Sequence, residues 1–269
     1  MKLGFIGTGN LASAILRGVV SANEIPSNEI AIYDINPDKV ISLCNELSVN
    51  AAQSAQKLAE DCEYIVIAVK PKDFGALAEK ISGNVKANDA VVISTAAGTQ
   101  LEKIKSYFGY NVKAVRIMPN INASVGESMT ALCASERVTD TQKEFAFKLC
   151  SFFGKTVELE EKYFSAFTAI AGSAPAFAYM FADALAVAGI KYGLPADTAQ
   201  KIASQMLLGS AKQLIESPLS ISELIRRVCS PAGTTIEGVC SLKETGFESS
   251  VITAVEKTVE KDLRLSAEQ

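Results

Sequence analysis

The chain has 269 residues, of which 48% are hydrophobic and 21% charged, so it is long enough for two folded domains and too apolar for a disordered protein. Its formal net charge is −4 and no basic cluster interleaves with aromatic residues, which argues against a nucleic-acid partner. The sequence has no histidine, which excludes Ser-His-Asp and Cys-His nucleophiles and histidine-ligated metals, and we expect no metal site.

The cysteines and the apolar segments indicate a cytoplasmic protein. Six cysteines form no C-x-x-C pair and no zinc-like spacing, which is typical of reduced thiols. The short apolar stretch at the N-terminus breaks at a glycine, so we expect no signal peptide. The most apolar segment, residues 174–190, contains Asp183 and is followed by Lys191, so we expect no membrane span.

The first predicted element is a short apolar strand, Lys2–Gly7, that leads directly into the pattern G-x-G-x-x-A. In a dinucleotide-binding turn of this form, Gly7 permits the tight turn and Gly9 lets a pyrophosphate approach the backbone. The small side chain of Ala12 lets the following helix pack close to the strand. The simpler interpretation of the same pattern is a glycine turn in an ordinary α/β domain.

The helix after this turn is predicted over residues 10–21, and its first N–H groups, near Asn10 and Leu11, would point at the phosphates. The second strand, Glu29–Tyr33, ends at Asp34. An acid at this distance from the glycine-rich turn is placed to bind a ribose 2′-hydroxyl.

The rest of residues 1–159 alternates predicted strands with helical segments. The runs at residues 65–69 and 91–93 are apolar on both faces, as buried parallel strands are. This alternation indicates a doubly wound, Rossmann-type α/β sheet and a dinucleotide-binding domain. The later strands are predicted at Tyr64–Val69, Ala90–Ser94, Val112–Ile117 and Thr156–Leu159, with an edge strand at Met129–Ala134 and helices at Lys72–Ile81 and Thr141–Phe153.

Residues 160–269 are predicted to form an all-α domain. The helix Pro175–Tyr192 is apolar around much of its circumference, so it needs cover on most faces. Pairing of subunits through these helices would supply that cover; packing on the nucleotide domain of the same chain is the alternative. The other helices are predicted at residues 195–216, 220–228, 234–245 and 248–265.

Ligands of doubly wound sheets bind outside the carboxyl ends of the strands. The sequence Ala68, Val69, Lys70 and Pro71 follows the third long strand, and we predict that it lies over the cofactor's ribose and pyrophosphate. A strand terminator with a solvated lysine is the alternative. The small residues around Ala96, after the next strand, leave room for a flat nicotinamide.

A second cluster of candidate site residues lies in the helical part, at residues 228–236. Ser230, a proline and Gly233 break one helix, and Thr234 or Thr235 can cap the next. The N–H groups from Gly233 to Thr235 would then form a carboxylate site that needs no arginine. A plain helix–loop–helix turn with threonine caps explains the same pattern.

This second cluster, V-C-S-P-A-G-T-T at residues 228–235, resembles the signature loop V-x-S-P-G-G-x-T of the pyrroline-5-carboxylate reductase family. Further motifs agree with the family in order: G-T-G-N-L-A, A-V-K-P, R-I-M-P-N and G-S-A-P-A-F, at residues 7–12, 68–71, 116–120 and 172–177. The resemblance covers essentially the whole chain.

The resemblance implies the last step of proline synthesis, in which hydride passes from NADPH or NADH to the C=N carbon of 1-pyrroline-5-carboxylate. It implies a homodimer through the C-terminal helices, with dimers that often form decamers, and substrate bound opposite the other subunit's nicotinamide. The substrate carboxylate would contact Ser230 and the N–H groups of Gly233, Thr234 and Thr235. The hydroxyl of Thr235, the expected catalytic residue, would hydrogen-bond the ring nitrogen.

The chain departs from the family pattern at two positions. Ala232 replaces a glycine of the signature, which costs about 1 kcal/mol if that position needs a positive φ. Asp34 stands where NADPH-preferring relatives often have a small polar or basic residue. Its carboxylate would repel a 2′-phosphate, so we expect a preference for NADH.

Two other classes of protein share parts of this pattern. A β-hydroxyacid dehydrogenase also joins a nucleotide domain to helices, but it needs a lysine on the central helix, and residues 172–188 contain none. A non-catalytic dinucleotide sensor would keep Gly7, Gly9 and Ala12 and would not need the loop from Ser230 to Thr235.

Overall fold

The computed structural model describes residues 1–268 and divides into two compact units. The first unit comprises residues 1–172 with the residues from Thr258 onward, and the second comprises Ser173–Lys257. The predicted boundary between residues 159 and 160 stays a prediction. Gln269, which the predicted second domain includes, lies outside the described residues.

The first unit is built on one eight-stranded sheet. Its strands are β1 Leu3–Ile6, β2 Ile30–Tyr33, β3 Asn50–Ala51, β4 Tyr64–Ile67, β5 Val91–Ser94, β6 Ala114–Met118, β7 Ser128–Ala134 and β8 Gly154–Glu158. They lie in the order β3-β2-β1-β4-β5-β6-β7-β8, and all neighbours except β6 and β7 pair in parallel. The predicted Rossmann-type sheet is confirmed.

Helices cover both faces of this sheet. They are α1 Asn10–Ala22, α2 Pro37–Leu47, α3 Ala55–Asp61, α4 Pro71–Asn88, α5 Leu101–Phe108 and α6 Asp140–Ser151. The fully buried strand β4 shows the arrangement, because Tyr64 and Val66 join one hydrophobic cluster while Ile65 and Ile67 join another. Successive side chains of a strand point to opposite faces, so each face has its own core.

Two predicted elements differ from the structure. The segment Met129–Ala134 does form a strand, but β7 lies between β6 and β8 and is not an edge strand. A 3₁₀ turn, Ile121–Val125, brings the chain straight back beside β6, and such a short return pairs two strands antiparallel. The helix predicted to end at Ile81 continues through Gly83 to Asn88, because one glycine costs a helix only about 1 kcal/mol and Val85 beyond it is buried in the core.

After β8 the described chain is helical to residue 268. The helices are α7 Phe164–Phe167, α8 Ala174–Lys191, α9 Ala196–Glu216, α10 Ile221–Val228, α11 Thr234–Glu244 and α12 Phe247–Glu268, with a π-helical turn at Thr168–Ser173. The all-α C-terminal part is confirmed. The run Glu161–Lys191 is long and apolar enough to cross a membrane by length and composition alone, a test that core helices of soluble proteins also pass.

Candidate functional site

The glycine-rich turn joins β1 to α1, and the two glycines are needed for different reasons. Gly7 has a φ of +95°, and a Cβ there would lie 2.7 Å from the carbonyl oxygen of Ala68. No other residue fits this turn without displacing the backbone of the neighbouring strand. A Cβ on Gly9 would meet nothing within 4 Å, so the space over its backbone is open.

The start of α1 presents free backbone donors to that space. Gly9 is the N-cap of α1 and no side-chain hydrogen bond caps the helix; the N–H of Ser13 is the first to bond back, to the carbonyl of Gly9 at 2.9 Å. The N–H groups of Asn10, Leu11 and Ala12 therefore have no partner within the helix. Free N–H groups and the positive end of the helix dipole together suit a phosphate.

Asp34, at the end of β2, is fixed by three hydrogen bonds. Its Oδ2 accepts from the N–H of Thr8 at 2.7 Å and from the Thr8 hydroxyl at 2.9 Å, and its Oδ1 accepts from the N–H of Asn36 at 2.9 Å. Partial burial raises the pKa of Asp34, but these donors and the nearby charge of Lys39 together lower it below its ordinary value. The carboxylate therefore stays ionised at neutral pH and holds the glycine-rich turn against β2.

The predicted residues after β4 and β5 lie at the same edge of the sheet as this turn. The N–H of Ala68 continues the β1–β4 ladder by donating to Ile6 at 2.8 Å. Pro71 is the first residue of α4, and the exposed Lys70 is its N-cap. Ala96 is buried, and its N–H donates to the hydroxyl of Ser94 at 3.2 Å.

The carboxyl ends of the adjacent parallel strands β2, β1, β4 and β5 meet at one edge, and the chain changes direction between β1 and β4. This is the position at which doubly wound sheets bind ligands. The structure therefore brings the residues predicted to contact the cofactor together: Gly7, Gly9, Asn10, Leu11, Asp34, Ala68, Val69, Lys70, Pro71 and Ala96.

A partly buried ion pair lies at the far end of the loop after β5, and the sequence reasoning missed its acidic member. Nη1 of Arg116, on β6, donates to Oε1 of Glu161 at 2.9 Å. The same oxygen accepts from the N–H of Leu101, the first residue of α5, at 2.8 Å. Burial, aided by the charge of Glu161, raises the pKa of the Cys133 thiol to about 12, so this thiol beside Arg116 stays uncharged.

Asn120, the last residue of the motif after β6, holds the backbone just before the unit boundary. Its Nδ2 donates to the carbonyl of Ala171 at 2.9 Å. In a regular helix that carbonyl would accept from the N–H of residue 175, which is a proline and has none.

The loop of the signature motif forms a tight turn between α10 and α11. The N–H of Gly233 donates to the carbonyl of Ser230 at 3.0 Å, and Ala232 has a φ of +57°. With Pro231 at the second position and a positive φ at the third, this is a type II turn, which favours glycine where Ala232 stands. A Cβ on Gly233 would lie 2.3 Å from the hydroxyl oxygen of Ser230, so a side chain there would displace that hydroxyl from its present position.

The predicted threonine cap of α11 is wrong. Gly233 is the N-cap and no side-chain hydrogen bond caps the helix, while Thr234 and Thr235 are its first two residues. The turn conformation at Ser230–Gly233 starts the helix one residue earlier than a threonine cap would. The amide of Gly233 is used within the turn, so the outward N–H groups of this site are those of Thr234 and Thr235.

Among residues 1–268, no group of three or more cysteine, aspartate or glutamate side chains is arranged to hold a metal ion. The first unit combines an open parallel sheet, a glycine-rich turn with free helix N–H groups, and an ionised acid after the second strand. These features define a dinucleotide-binding domain.

Comparison with known proteins gives the family. Residues 161–265 match the family described as pyrroline-5-carboxylate reductase dimerisation, and residues 2–98 match NADP oxidoreductase coenzyme F420-dependent. The pyrroline-5-carboxylate reductase of Escherichia coli strain K12 is 36% identical over 265 residues, which cover 98% of each chain. That of Aquifex aeolicus strain VF5 is 34% identical, over 98% of this chain and 97% of the relative.

A solved structure supports the same family. The Plasmodium falciparum pyrroline carboxylate reductase with NADP bound has a TM-score of 0.88 and 30% identity, and the match covers 99% of this chain and 98% of that one. The chain therefore belongs to the pyrroline-5-carboxylate reductase family, and the resemblance seen in its motifs is confirmed.

Proposed function

We propose that this chain catalyses the last step of proline biosynthesis, the reduction of 1-pyrroline-5-carboxylate to L-proline. The observation that carries the proposal is the type II turn at Ser230–Gly233. It opens α11 with free N–H groups in a chain that also has a dinucleotide-binding domain. Full-length similarity to reductases of this name supports it.

The cofactor's nicotinamide supplies a hydride when bound, and the open space over Gly9 and the free N–H groups of α1 fit its pyrophosphate. We propose that Asn10 and Leu11 donate to the phosphates and that Ala68, Val69, Lys70 and Pro71 cover the ribose and pyrophosphate. Ala96 would border the nicotinamide.

On the substrate side, the N–H groups of Thr234 and Thr235 and the Ser230 hydroxyl would bind the carboxylate. Gly233 would contribute by having no side chain, because its own N–H is used in the turn. The hydroxyl of Thr235 would accept a hydrogen bond from the protonated ring nitrogen and so orient the C=N bond for attack.

The reaction needs little acid–base help from the protein, which agrees with a chain without histidine. The substrate's imine is basic enough to arrive protonated, and the hydride adds to its carbon while the C=N π electrons become the nitrogen lone pair. Backbone N–H groups hold the carboxylate without placing a full positive charge beside that iminium, as an arginine would.

We propose NADH as the preferred cofactor, because the ionised carboxylate of Asp34 would repel a 2′-phosphate and accept a hydrogen bond from a free 2′-hydroxyl. The NADP in the Plasmodium falciparum structure is the counter-argument, so NADPH has to be tested beside NADH.

A homodimer through the helices of residues 161–265 is also part of the proposal, supported by the match to a dimerisation family. Assembly of dimers into a decamer and a cytoplasmic location stay predictions.

The first experiment follows oxidation of NADH and of NADPH at the nicotinamide absorbance, with and without 1-pyrroline-5-carboxylate. We expect oxidation that depends on this substrate and is faster with NADH. Folded protein that oxidises neither cofactor would contradict the proposed reaction and favour a dinucleotide-binding protein without catalysis.

The second experiment replaces the proposed catalytic hydroxyl. We expect Thr235→Ala to lower kcat about 10- to 100-fold with cofactor affinity unchanged, because only the orienting hydrogen bond to the ring nitrogen is lost. The control is Thr141→Ala, an exposed threonine of α6, which should retain the wild-type rate. A wild-type rate in Thr235→Ala would remove this residue from the mechanism.

A further inference from the structure

The loop between β5 and α5, residues 95–100, is held at both ends by groups outside it. At its start, the N–H of Thr95 donates to the carbonyl of Ile67 on the neighbouring strand at 3.1 Å. At its end, the N–H of Leu101 donates to Oε1 of Glu161 at 2.8 Å. Between these points the chain passes Gly98 in a left-handed conformation, with a φ of +74°. These two attachments join the ends of the loop to β4 and to Glu161, while the N–H of Ala96 bonds locally to the Ser94 hydroxyl.

Glu161 caps the N-terminus of α5, although it is distant from that helix in the sequence. The N-cap of α5, Gln100, makes no side-chain hydrogen bond to the helix, so the first N–H groups lack a local acceptor. The carboxylate of Glu161, 60 residues further along the chain, accepts from the first of them. A negative charge at this end of a helix also interacts favourably with the helix dipole.

Arg116 in turn fixes Glu161. The Arg116 side chain is only 5% exposed, and its guanidinium carbon lies 4.4 Å from the centre of the Phe164 ring. Its Nη1 donates at 2.9 Å to the same Oε1 that accepts from Leu101. An arginine stacked on a ring and buried on a central strand leaves the carboxylate few alternative positions.

We propose that Glu161, held by Arg116, is a positioning residue for the nicotinamide half of the cofactor. It sets the loop that carries Ala96, and through that loop it sets the position of the nicotinamide. The inference rests on the proposed function, which places the nicotinamide beside Ala96. The adenosine half of the cofactor, at Gly9 and Asp34, does not depend on this ion pair.

The test separates the two halves of the cofactor. In Glu161→Ala we expect kcat to fall at least about tenfold, because small errors in the position of a reacting group slow hydride transfer strongly. We expect the Kd of ADP-ribose, which lacks the nicotinamide, to remain within about twofold of wild type. Loss of a residue that merely stabilises the fold would instead affect kcat and the affinities for NADH and ADP-ribose together.

Rescue and control variants complete the experiment. Glu161→Gln keeps an oxygen that can accept from both Leu101 and Arg116, so it should recover most of kcat. Glu158→Ala removes an exposed ion pair with Lys143, of the same 2.9 Å length, and should leave kcat and both affinities unchanged.

A folded Glu161→Ala protein with wild-type kcat would overturn the inference, and so would an equal loss of affinity for NADH and ADP-ribose. Should Glu161→Ala fail to fold, Arg116→Lys takes its place, since it keeps the charge and loses the stacked, planar donor. Wild-type kcat in Arg116→Lys would overturn the inference in the same way. Absence of substrate-dependent oxidation in the wild-type protein would instead contradict the proposed function.

Discussion

Asp34 ties the glycine-rich turn to β2 and also carries the charge that would meet a 2′-phosphate. Replacing it by serine removes the charge and leaves a small polar side chain. We expect Asp34→Ser to raise the ratio of kcat/KM for NADPH to that for NADH about tenfold, which is equivalent to about 1.4 kcal/mol. Steady-state rates with both cofactors measure the ratio.

The control for this variant is Thr8→Ala, which removes one of the three hydrogen bonds to Asp34 and keeps its charge. It should weaken binding of both cofactors alike. An unchanged ratio in Asp34→Ser would show that this carboxylate does not contact the ribose, and an equal shift in Thr8→Ala would assign the effect to the turn.

Ala232 is the one non-glycine residue of the signature turn with a positive φ, at +57°. The left-handed conformation costs a residue with a Cβ about 1–2 kcal/mol, part of which is offset by the greater freedom of glycine in the unfolded chain. We therefore expect Ala232→Gly to raise the free energy of unfolding by about 0.5–1 kcal/mol. Denaturant titration at fixed protein concentration measures it.

The matched control is Ala211→Gly, inside α9 and five residues before its end at Glu216, where the same substitution should lower stability by about 1 kcal/mol. A loss of stability in both variants would mean that Ala232 is not strained.

Among the elements, the pairing of β7 with β8 depends on Gly154. Its φ is +153°, and a Cβ there would lie 2.0 Å from the carbonyl oxygen of Ser128 on β7. We expect Gly154→Ala to lower the free energy of unfolding by about 2–5 kcal/mol, because backbone strain and the clash add. Thermal unfolding measures the change.

Gly83→Ala serves as the comparison, because Gly83 lies within α4 and a Cβ there meets nothing within 4 Å. This variant should gain up to about 1 kcal/mol from helix propensity. If both glycines tolerated alanine equally, close approach of β7 to β8 would not be what requires Gly154.

Most elements of the sheet could be predicted from the sequence, because short runs such as residues 65–69 are rich in β-branched residues and apolar on both faces, as covered parallel strands are. The position of β7 within the sheet could not be predicted. Strand order depends on which way the chain turns after Met118, and the residues of a 3₁₀ turn carry no such signal.

The position of the candidate cofactor residues at one edge of the sheet could be predicted, because glycines and an acid at this spacing after parallel strands have a known geometric purpose. The long-range hydrogen-bond partners could not be predicted, because the two donors of Thr8 lie 26 positions from Asp34 and Leu101 lies 60 positions from Glu161. The threonine cap of α11 was wrong for a related reason, since the turn at Ser230–Gly233 decides where that helix begins.

In the whole molecule, the apolar surface is concentrated on the C-terminal helices. On α8, Tyr179, Met180 and Val187 are 61%, 72% and 56% exposed in the single chain. We expect the double variant Met180→Glu and Val187→Glu to sediment as a smaller species than wild type, because two buried charges would oppose the proposed homodimer.

The control is Ile41→Glu on α2, a residue 57% exposed in the first unit, which should leave the sedimentation coefficient unchanged. A double variant that sediments like wild type would show that this face of α8 is not the dimer interface.

The two edge strands of the sheet, β3 and β8, affect how newly synthesised chains associate. β3 has only two residues, and β8 carries charged side chains, with Glu158 paired to Lys143. Short or charged edge strands offer a poor template for a second chain, so they protect against aggregation. Chains translated side by side on one messenger RNA would therefore associate through the exposed apolar surface of their C-terminal helices and not through the edges of their sheets.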